Sequence, residues 1–383
     1  MRLFGLVLRN VMRRKLRSLL TATGIAIGVA AVTALLNFSI GFEKSACEVY
    51  RGRDVDLVVV RAGVTERMTS SLQQALAQRI GALPEVAAVN PSLTEMVSLG
   101  EGSLVGVTVH GWPSDSFAFE RLAIVAGERL APGRTPQVLL GRGLAENMRK
   151  GVGDELEIES RNFRVVGLFQ GVNVFEDATA IVLLPELQRL MERPGQVTEF
   201  QVLLDPDLAD MTAVIGDLCH GITALRDADG ESLGLSAIPT EQFVSTSTAV
   251  RLAHALAWSS SAIALLIGGI GMFNTMTMTV LERTQEIGVL RAIGWRKQRV
   301  WLLIFCESEL LCFAGALLGI GIGVAITQVL SNADSVRSLI RTDVSPAVLV
   351  WGVILALAVG LAGGIYPAVR GACLDPVEAM RHE

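Results

Sequence analysis

The sequence predicts a membrane protein with four transmembrane α-helices and a large α+β extracytoplasmic domain inserted between the first and second spans. Three observations carry that expectation. The chain is apolar for its size, with 51% hydrophobic residues among 383 and a mean hydropathy of +0.47. Its apolar residues gather in four runs, Leu19 to Ile40, Ala255 to Leu281, Val300 to Leu330 and Pro346 to Tyr366, each reaching the roughly 20 residues that a helix needs to cross a bilayer. The segment from Gly41 to Val250 contains no such run and reads as an ordinary soluble domain.

The first run follows a basic start, as a signal peptide would, but its apolar core is too long. NFSIGFEKSACE after it offers no small-residue cleavage site, so the run reads as an uncleaved span. Residues 1–18, with Leu3, Leu6, Val7, Val11 and Leu16 among Arg9, Arg13, Arg14 and Lys15, form an expected cytoplasmic amphipathic helix. Orientation follows from Lys and Arg in the short flanks. Six precede the first span and five (Arg283, Arg291, Arg296, Lys297, Arg299) lie between the second and third, whereas the 331–345 loop holds Arg337 and Arg341 offset by Asp334 and Asp343. Both termini and the 282–299 loop are therefore expected in the cytoplasm. Residues 41–250 are then outside, with 17 basic against 29 acidic side chains, a balance that excludes nucleic acid as a partner.

Within the outer domain, VDLVVV (55–60) and VGVTVHGW (105–112) read as strands and SLQQALAQRIGAL (71–83) as a helix. LLGRGLAENM reads as a strand leading into a helix, DELEIESRNFRVVGLF (154–169) as a hairpin, and ELQRLM and DLADMTAVIGDLC as helices. The flanking segments NFSIGFEKSACEVY and FVSTSTAVRLAHALAW lack Pro and Gly clusters, so the first and second spans are expected to continue outward as helical stalks. The spans themselves are placed at 19–40, 255–281, 300–330 and 346–366, with a cytoplasmic tail at 367–383.

Chemistry is sparse. No GxxxxGK[ST], HExxH, GxSxG or CxxC pattern occurs, so no cofactor, metal or catalytic residue is assigned to this chain. His110, His220, His254 and His382 are scattered, and Glu155, Glu157 and Glu159 alternate onto one solvated strand face. Cys47 and Cys219 both fall in the outer domain, as free thiols or as a disulfide. Gly24 and Gly28 in the first span, and Gly315, Gly319 and Gly323 in the third, recur four apart. That spacing admits close backbone approach, within the chain or across a dimer interface. Glu307 and Glu309 lie near the basic edge of the third span, where snorkelling or pairing with Arg296, Lys297 or Arg299 is expected. No span other than the third holds an ionisable residue near its centre, so the spans read as a packed lever rather than a lined pore.

The loop ERTQEIGVLRAIGWRKQRV, the N-terminal LRNVMRRKLRSLLTATGIAIGVA and the tail GGIYPAVRGACLDPVEAMR together resemble the permease subunits of MacB/FtsX-like ABC transporters. GRGLAENMRKGVGDELEIESRNFRVVGLF resembles the periplasmic core domain of that family, and the resemblance covers essentially the whole chain. It implies a bacterial inner-membrane permease, working as a homodimer or with a paralogue, and bound to a dimer of ABC ATPase subunits that hold ATP and Mg. No ATPase is encoded in these 383 residues, unlike the macrolide-exporter type. It also implies mechanotransmission, in which closure of the ATPases moves the outer domains. A periplasmic adaptor and an outer-membrane channel would complete an efflux pathway. Lipoprotein release, as in Lol-type relatives, and FtsX-like control of a cell-wall hydrolase are the alternatives. In this reading the 282–299 loop is the ATPase-coupling helix, formed by Glu282, Arg283, Glu286, Ile287, Gly288, Leu290, Arg291, Ile293 and Gly294. Ile287, Leu290 and Ile293 are expected to form an apolar knob ringed by charge, with Gly294 as the helix stop.

Overall fold

The first apolar run belongs to a helix of 37 residues, α2 (Lys15–Arg51), preceded by α1 (Leu3–Arg13). At 1.5 Å per residue α2 is about 55 Å long, well beyond the ~30 Å of a hydrocarbon core. No proline interrupts it. The computed structural model describes residues 3–13, 15–64, 67–100, 104–133, 135–207, 211–227, 229–332 and 344–374. Most of the expected 331–345 loop and the end of the tail lie outside these residues.

The chain divides into two units, one built from the spans and one from the inserted domain. In the membrane unit, α9 (Thr248–Glu282), α11 (Lys297–Asn332) and α12 (Pro346–Ala372) join α2, giving four helices long and apolar enough to span a bilayer. The short helix α10 (Thr284–Ala292) lies between α9 and α11. Pro346 occupies the first turn of α12, where its missing N–H costs nothing. The Ser345 N–H at that start donates to Asn37 Oδ1 of α2 at 3.1 Å. Ile25, Val29, Met272, Met276, Leu311, Cys312 and Ala356 form the middle of the bundle.

The second unit holds a ten-stranded mixed sheet. Its strands are β1 (Leu57–Arg61), β3 (Val86–Leu99), β4 (Leu104–Trp112), β5 (Ala123–Gly127), β6 (Gln137–Gly141), β7 (Glu155–Ile158), β8 (Arg161–Gln170), β9 (Ala180–Leu183), β11 (Glu199–Leu204) and β12 (Leu235–Pro239). The order is β12-β1-β11-β3-β4-β9-β6-β8-β5, with β7 pairing β3 and β8. Strand β3 is the bridge: its first half pairs with β11 and its second half with β4, so one long strand joins two half-sheets. Helices α3 (Leu76–Gly81), α4 (Arg142–Met148), α6 (Leu184–Leu190) and α7 (Met211–Thr223) complete this unit together with α5 (Val174–Asp177) and α8 (Thr240–Thr246). Alternation on the strands sends Leu57, Val59, Leu93, Val97, Val109, Phe200 and Val202 into the main core.

The last turns of α2 are part of this unit. Phe42, Ala46, Cys47 and Tyr50 pack with Val58, Val60, Val244 and Val250, and Phe42 meets Phe175 edge-on at 5.2 Å. Just beyond, Arg53 and Glu176 form a buried pair at 2.9 and 2.5 Å, with the guanidinium 4.6 Å above the Trp112 ring. Cys47 and Cys219 are free thiols.

Two expectations are corrected here. Residues 71–83 are not one helix: Leu72–Gln73 forms strand β2, paired with β10 (Gln196–Val197), and only Leu76–Gly81 is helical. Glu159 does not share the strand face of Glu155 and Glu157, because it sits in the β7–β8 turn at φ 44°, where its Oε1 accepts from the Ser98 N–H at 2.8 Å.

Candidate functional site

Helix α10 is separated from α9 by Arg283, whose φ of −108° leaves the helical region. It ends at Gly294, φ +102°. The Gly294 N–H donates to the Arg291 carbonyl and the Trp295 N–H to the Leu290 carbonyl, both at 3.1 Å. This is the six-to-one, five-to-two closure of a Schellman motif, which requires a left-handed residue and so favours glycine.

The orientation of α10 corrects the expected knob. Ile287 is 3% exposed and packs inside its own chain with Val280, Val300, Ile304, Ala368 and Ala372. Gly288 is buried with it, and Leu290 and Arg291 are half-buried. The outward apolar side chains are Val289 and Ile293, exposed by 46% and 75%. Spaced four apart, these two share one side of the helix, with Gln285, Glu286 and Ala292 exposed near them. Helical spacing alone reveals two apolar stripes on α10; it does not reveal which one the chain keeps for itself.

A network of ion pairs holds the helix start. Arg283 Nη1 donates to both oxygens of Glu307 at 3.0 Å, and its Nε donates to Glu286 at 3.0 Å. Arg13 reaches Glu286 at 3.4 Å, and Arg17 donates twice to Glu282, at 2.8 and 2.5 Å. Asn10 lines the same cavity as Glu307. Helices α1, α2, α9, α10 and α11 are thus tied at one edge of the bundle. The expected partners of Glu307 were Arg296, Lys297 or Arg299, and the structure corrects this to Arg283. Ten residues separate Lys297 from Glu307, about 15 Å along a helix, too far for a lysine to span back easily. Glu309 differs from Glu307: its Oε1 is buried without a hydrogen-bond partner among the described residues.

Gly28, Gly315, Gly319 and Gly323 pack within the chain, whereas a Cβ at Gly24 would meet nothing within 4 Å among the described residues. A Cβ at Gly319 would lie 2.6 Å from the Ala26 carbonyl oxygen, one at Gly315 2.9 Å from that of Ala22, and one at Gly323 3.0 Å from that of Ala30. One face of α11 therefore lies directly on the backbone of α2. Gly28 faces Ala264 of α9 at 3.2 Å, and Gly268 of α9 faces the Gly24 carbonyl at 3.4 Å.

Four helices long and apolar enough to span a bilayer, a mixed-sheet domain inserted after the first, and a short capped helix between the second and third define a polytopic membrane protein. Residues 18–218 match the family model for the MacB-like periplasmic core domain, and residues 258–376 match that for the FtsX-like permease C-terminal domain. The chain belongs to this family of MacB/FtsX-like ABC transporter permeases. Relatives include the macrolide export ATP-binding/permease protein MacB of Bdellovibrio bacteriovorus, 26% identical over 96% of this chain and 60% of that protein. MacB of Agrobacterium fabrum is 27% identical over 96% and 59%. The chain thus spans about 60% of the length of these relatives. An uncharacterized ABC transporter permease of Methanocaldococcus jannaschii is 25% identical over 98% of this chain and 96% of its own. The periplasmic region of MacB from Actinobacillus actinomycetemcomitans aligns with 50% of this chain and 92% of that structure, at a TM-score of 0.40 and 14% identity.

Proposed function

We propose that this chain is the permease subunit of an ABC exporter and that α10 is the element through which a separate ATPase acts on it. The observation that carries this reading is the outward pair Val289 and Ile293 beside exposed Glu286, on a helix whose opposite side is fixed to the chain by Ile287. A helix held on one side and apolar on the other suits a groove in a partner protein. Glu282, Arg283, Gly288, Leu290, Arg291 and Gly294 set its position rather than its contact. By the positive-inside rule α10 and both termini are cytoplasmic and the inserted domain is periplasmic.

In this reading the permease is a homodimer on a dimer of ATPases that carry ATP and Mg. Movement of α10 passes into α2 and α9, whose unbroken lengths act as levers on the periplasmic domains. The substrate is taken from the periplasmic side and handed through an adaptor to an outer-membrane channel, as the MacB relatives' export role supports. Permease activity then depends on the ATPase, and no reaction is catalysed by this chain.

The test is co-purification of this chain with an ABC ATPase subunit from native membranes. Val289→Asp places a charge in the proposed contact and is expected to lower ATPase retention at least tenfold while the chain stays in the membrane. Full retention and full ATPase stimulation in both Val289→Asp and Ile293→Asp would overturn the assignment.

A further inference from the structure

The edge network encloses a cavity of about 260 Å³. Its wall comes from α1 (Asn10, Arg13), the start of α2 (Arg17, Thr21), the last turns of α9 (Thr275, Thr279) and the Glu307–Leu311 turn of α11. Two chemistries meet there. Arg13, Arg17 and Arg283 bring three guanidinium groups and Glu286 and Glu307 two carboxylates, whereas Val11, Met276 and Leu311 supply an apolar side. The position along the spans is equally specific, because Arg17 lies at the charged start of α2 and Arg283 directly follows the end of α9, the depth at which lipid headgroups lie.

We propose that this cavity is a binding site for the headgroup of an amine-bearing glycerophospholipid from the leaflet bordering α1. Basic pockets between spans bind lipid phosphates, and Arg13, using one nitrogen on Glu286 at 3.4 Å, has donors to turn toward a phosphate. A purely anionic headgroup would face Glu286, which is half-exposed and lines the same cavity; its Oε2 stays on Arg283 at 3.0 Å, and an ammonium would take the Oε1 that Arg13 releases on turning to the phosphate. Glu307 plays a different part, since Arg283 already engages both of its oxygens. The apolar side then receives the glycerol and the first carbons of the acyl chains. The site bridges α1, α2, α9, α10 and α11, so an occupied cavity would hold α10 in one position. It is independent of whether α10 meets an ATPase.

The probe is native mass spectrometry of the full-length chain, stripped of lipid and titrated separately with dihexanoyl phosphatidylethanolamine, dihexanoyl phosphatidylglycerol and inorganic phosphate. The expected result is one saturable phosphatidylethanolamine per chain, weakened at least tenfold by Arg13→Ala and unchanged by Arg296→Ala, a basic residue of the same edge that does not line the cavity. Glu286→Gln should weaken phosphatidylethanolamine and spare phosphatidylglycerol. Because Arg13 is largely exposed, its replacement is not expected to unfold the bundle, and an unchanged helical circular dichroism spectrum checks this. Equal losses in Arg13→Ala and Arg296→Ala would mean non-specific surface attraction and overturn the proposal. Inorganic phosphate binding as tightly as the lipid, or phosphatidylglycerol preferred in the unsubstituted chain, would overturn it as well.

Discussion

Each unit of this protein contains a buried arginine–glutamate pair, and the two are built for different purposes. Arg53–Glu176 in the inserted domain is closed on every side: both residues are under 5% exposed, the guanidinium stacks over Trp112, and Glu176 Oε2 accepts the Val172 N–H at 2.8 Å. Around it the loop from Gly171 to Asp177 grips the end of α2, with Asn173 donating to the Ser45 carbonyl at 2.5 Å. Arg283–Glu307 in the membrane unit is nearly as buried, but it forks to the half-exposed Glu286 and borders a cavity. Among the described residues, one pair has no second charged partner and acts as a joint. The other has several and can rearrange.

Breaking the closed pair should therefore cost most. Arg53→Met leaves Glu176 charged and buried, which is expected to destabilise the inserted domain by about 3–5 kcal/mol. The double variant Arg53→Met, Glu176→Met should recover much of that loss, since neither charge is then stranded. Urea midpoints of the two variants check the order; equal midpoints would mean that Arg53 acts through its packing on Trp112 and not through charge.

Arg283→Met tests the open pair and should cost less, about 1–3 kcal/mol. Glu307 borders a cavity that water can enter. Its larger consequence is expected in α10, whose first turn loses its tie to α11. Hydrogen exchange at Ile287 and Gly288 should accelerate by more than tenfold while the bundle centre around Met272 and Ala316 is unchanged. A loss as large as that of Arg53→Met would place the two pairs in one class.

These pairs also mark where sequence reasoning ends. The four spans, the inserted domain and the β6–α4 and β7–β8 segments were legible because their signals are local: run length, alternation and turn residues. The glycine spacing in α11 was legible as close packing, but the partner, the backbone of α2, was not, since residues 22–30 are some 290 positions away. Neither the role of Arg53 nor that of Glu176 was visible, because two charged residues 123 positions apart look like any solvated pair until a fold buries them. On α10 the pattern showed apolar residues at 287, 290 and 293, and their expected outward facing holds for Ile293 and fails for Ile287. Ile287 belongs to the chain and Ile293 to the outside, a choice made by how α10 packs against α11 and α12. Val289, the other outward residue, carried no signal beyond its four-residue spacing to Ile293.

The smallest expected effect separates the joint from its surroundings by pH. Asp177, next to Glu176, has its pKa raised above the usual 3.8 chiefly by burial, against the lowering effect of the Gly171 N–H; Glu176 and Glu146 add to the rise and Arg142 opposes it. The folded domain thus holds the proton more tightly than the unfolded chain. Stability from this group is fully present below the unfolded pKa, falls as pH climbs from there through the raised folded value, and is level above it. Asp56 is shifted the same way by burial, so Asp177→Asn should remove part of the slope and not all of it. The variant keeps an oxygen for the Gly171 N–H, which Asp177 accepts at 2.5 Å, while Gln170, which donates to the other oxygen at 2.9 Å, can turn its amide to accept from Asn. Protection factors of β6 and β8 amides, compared between pH 4 and 7, should therefore fall less in Asp177→Asn than in the unsubstituted chain. A steeper fall would mean that the Asp177 carboxylate stabilises the loop that grips α2, and that the joint depends on its charge.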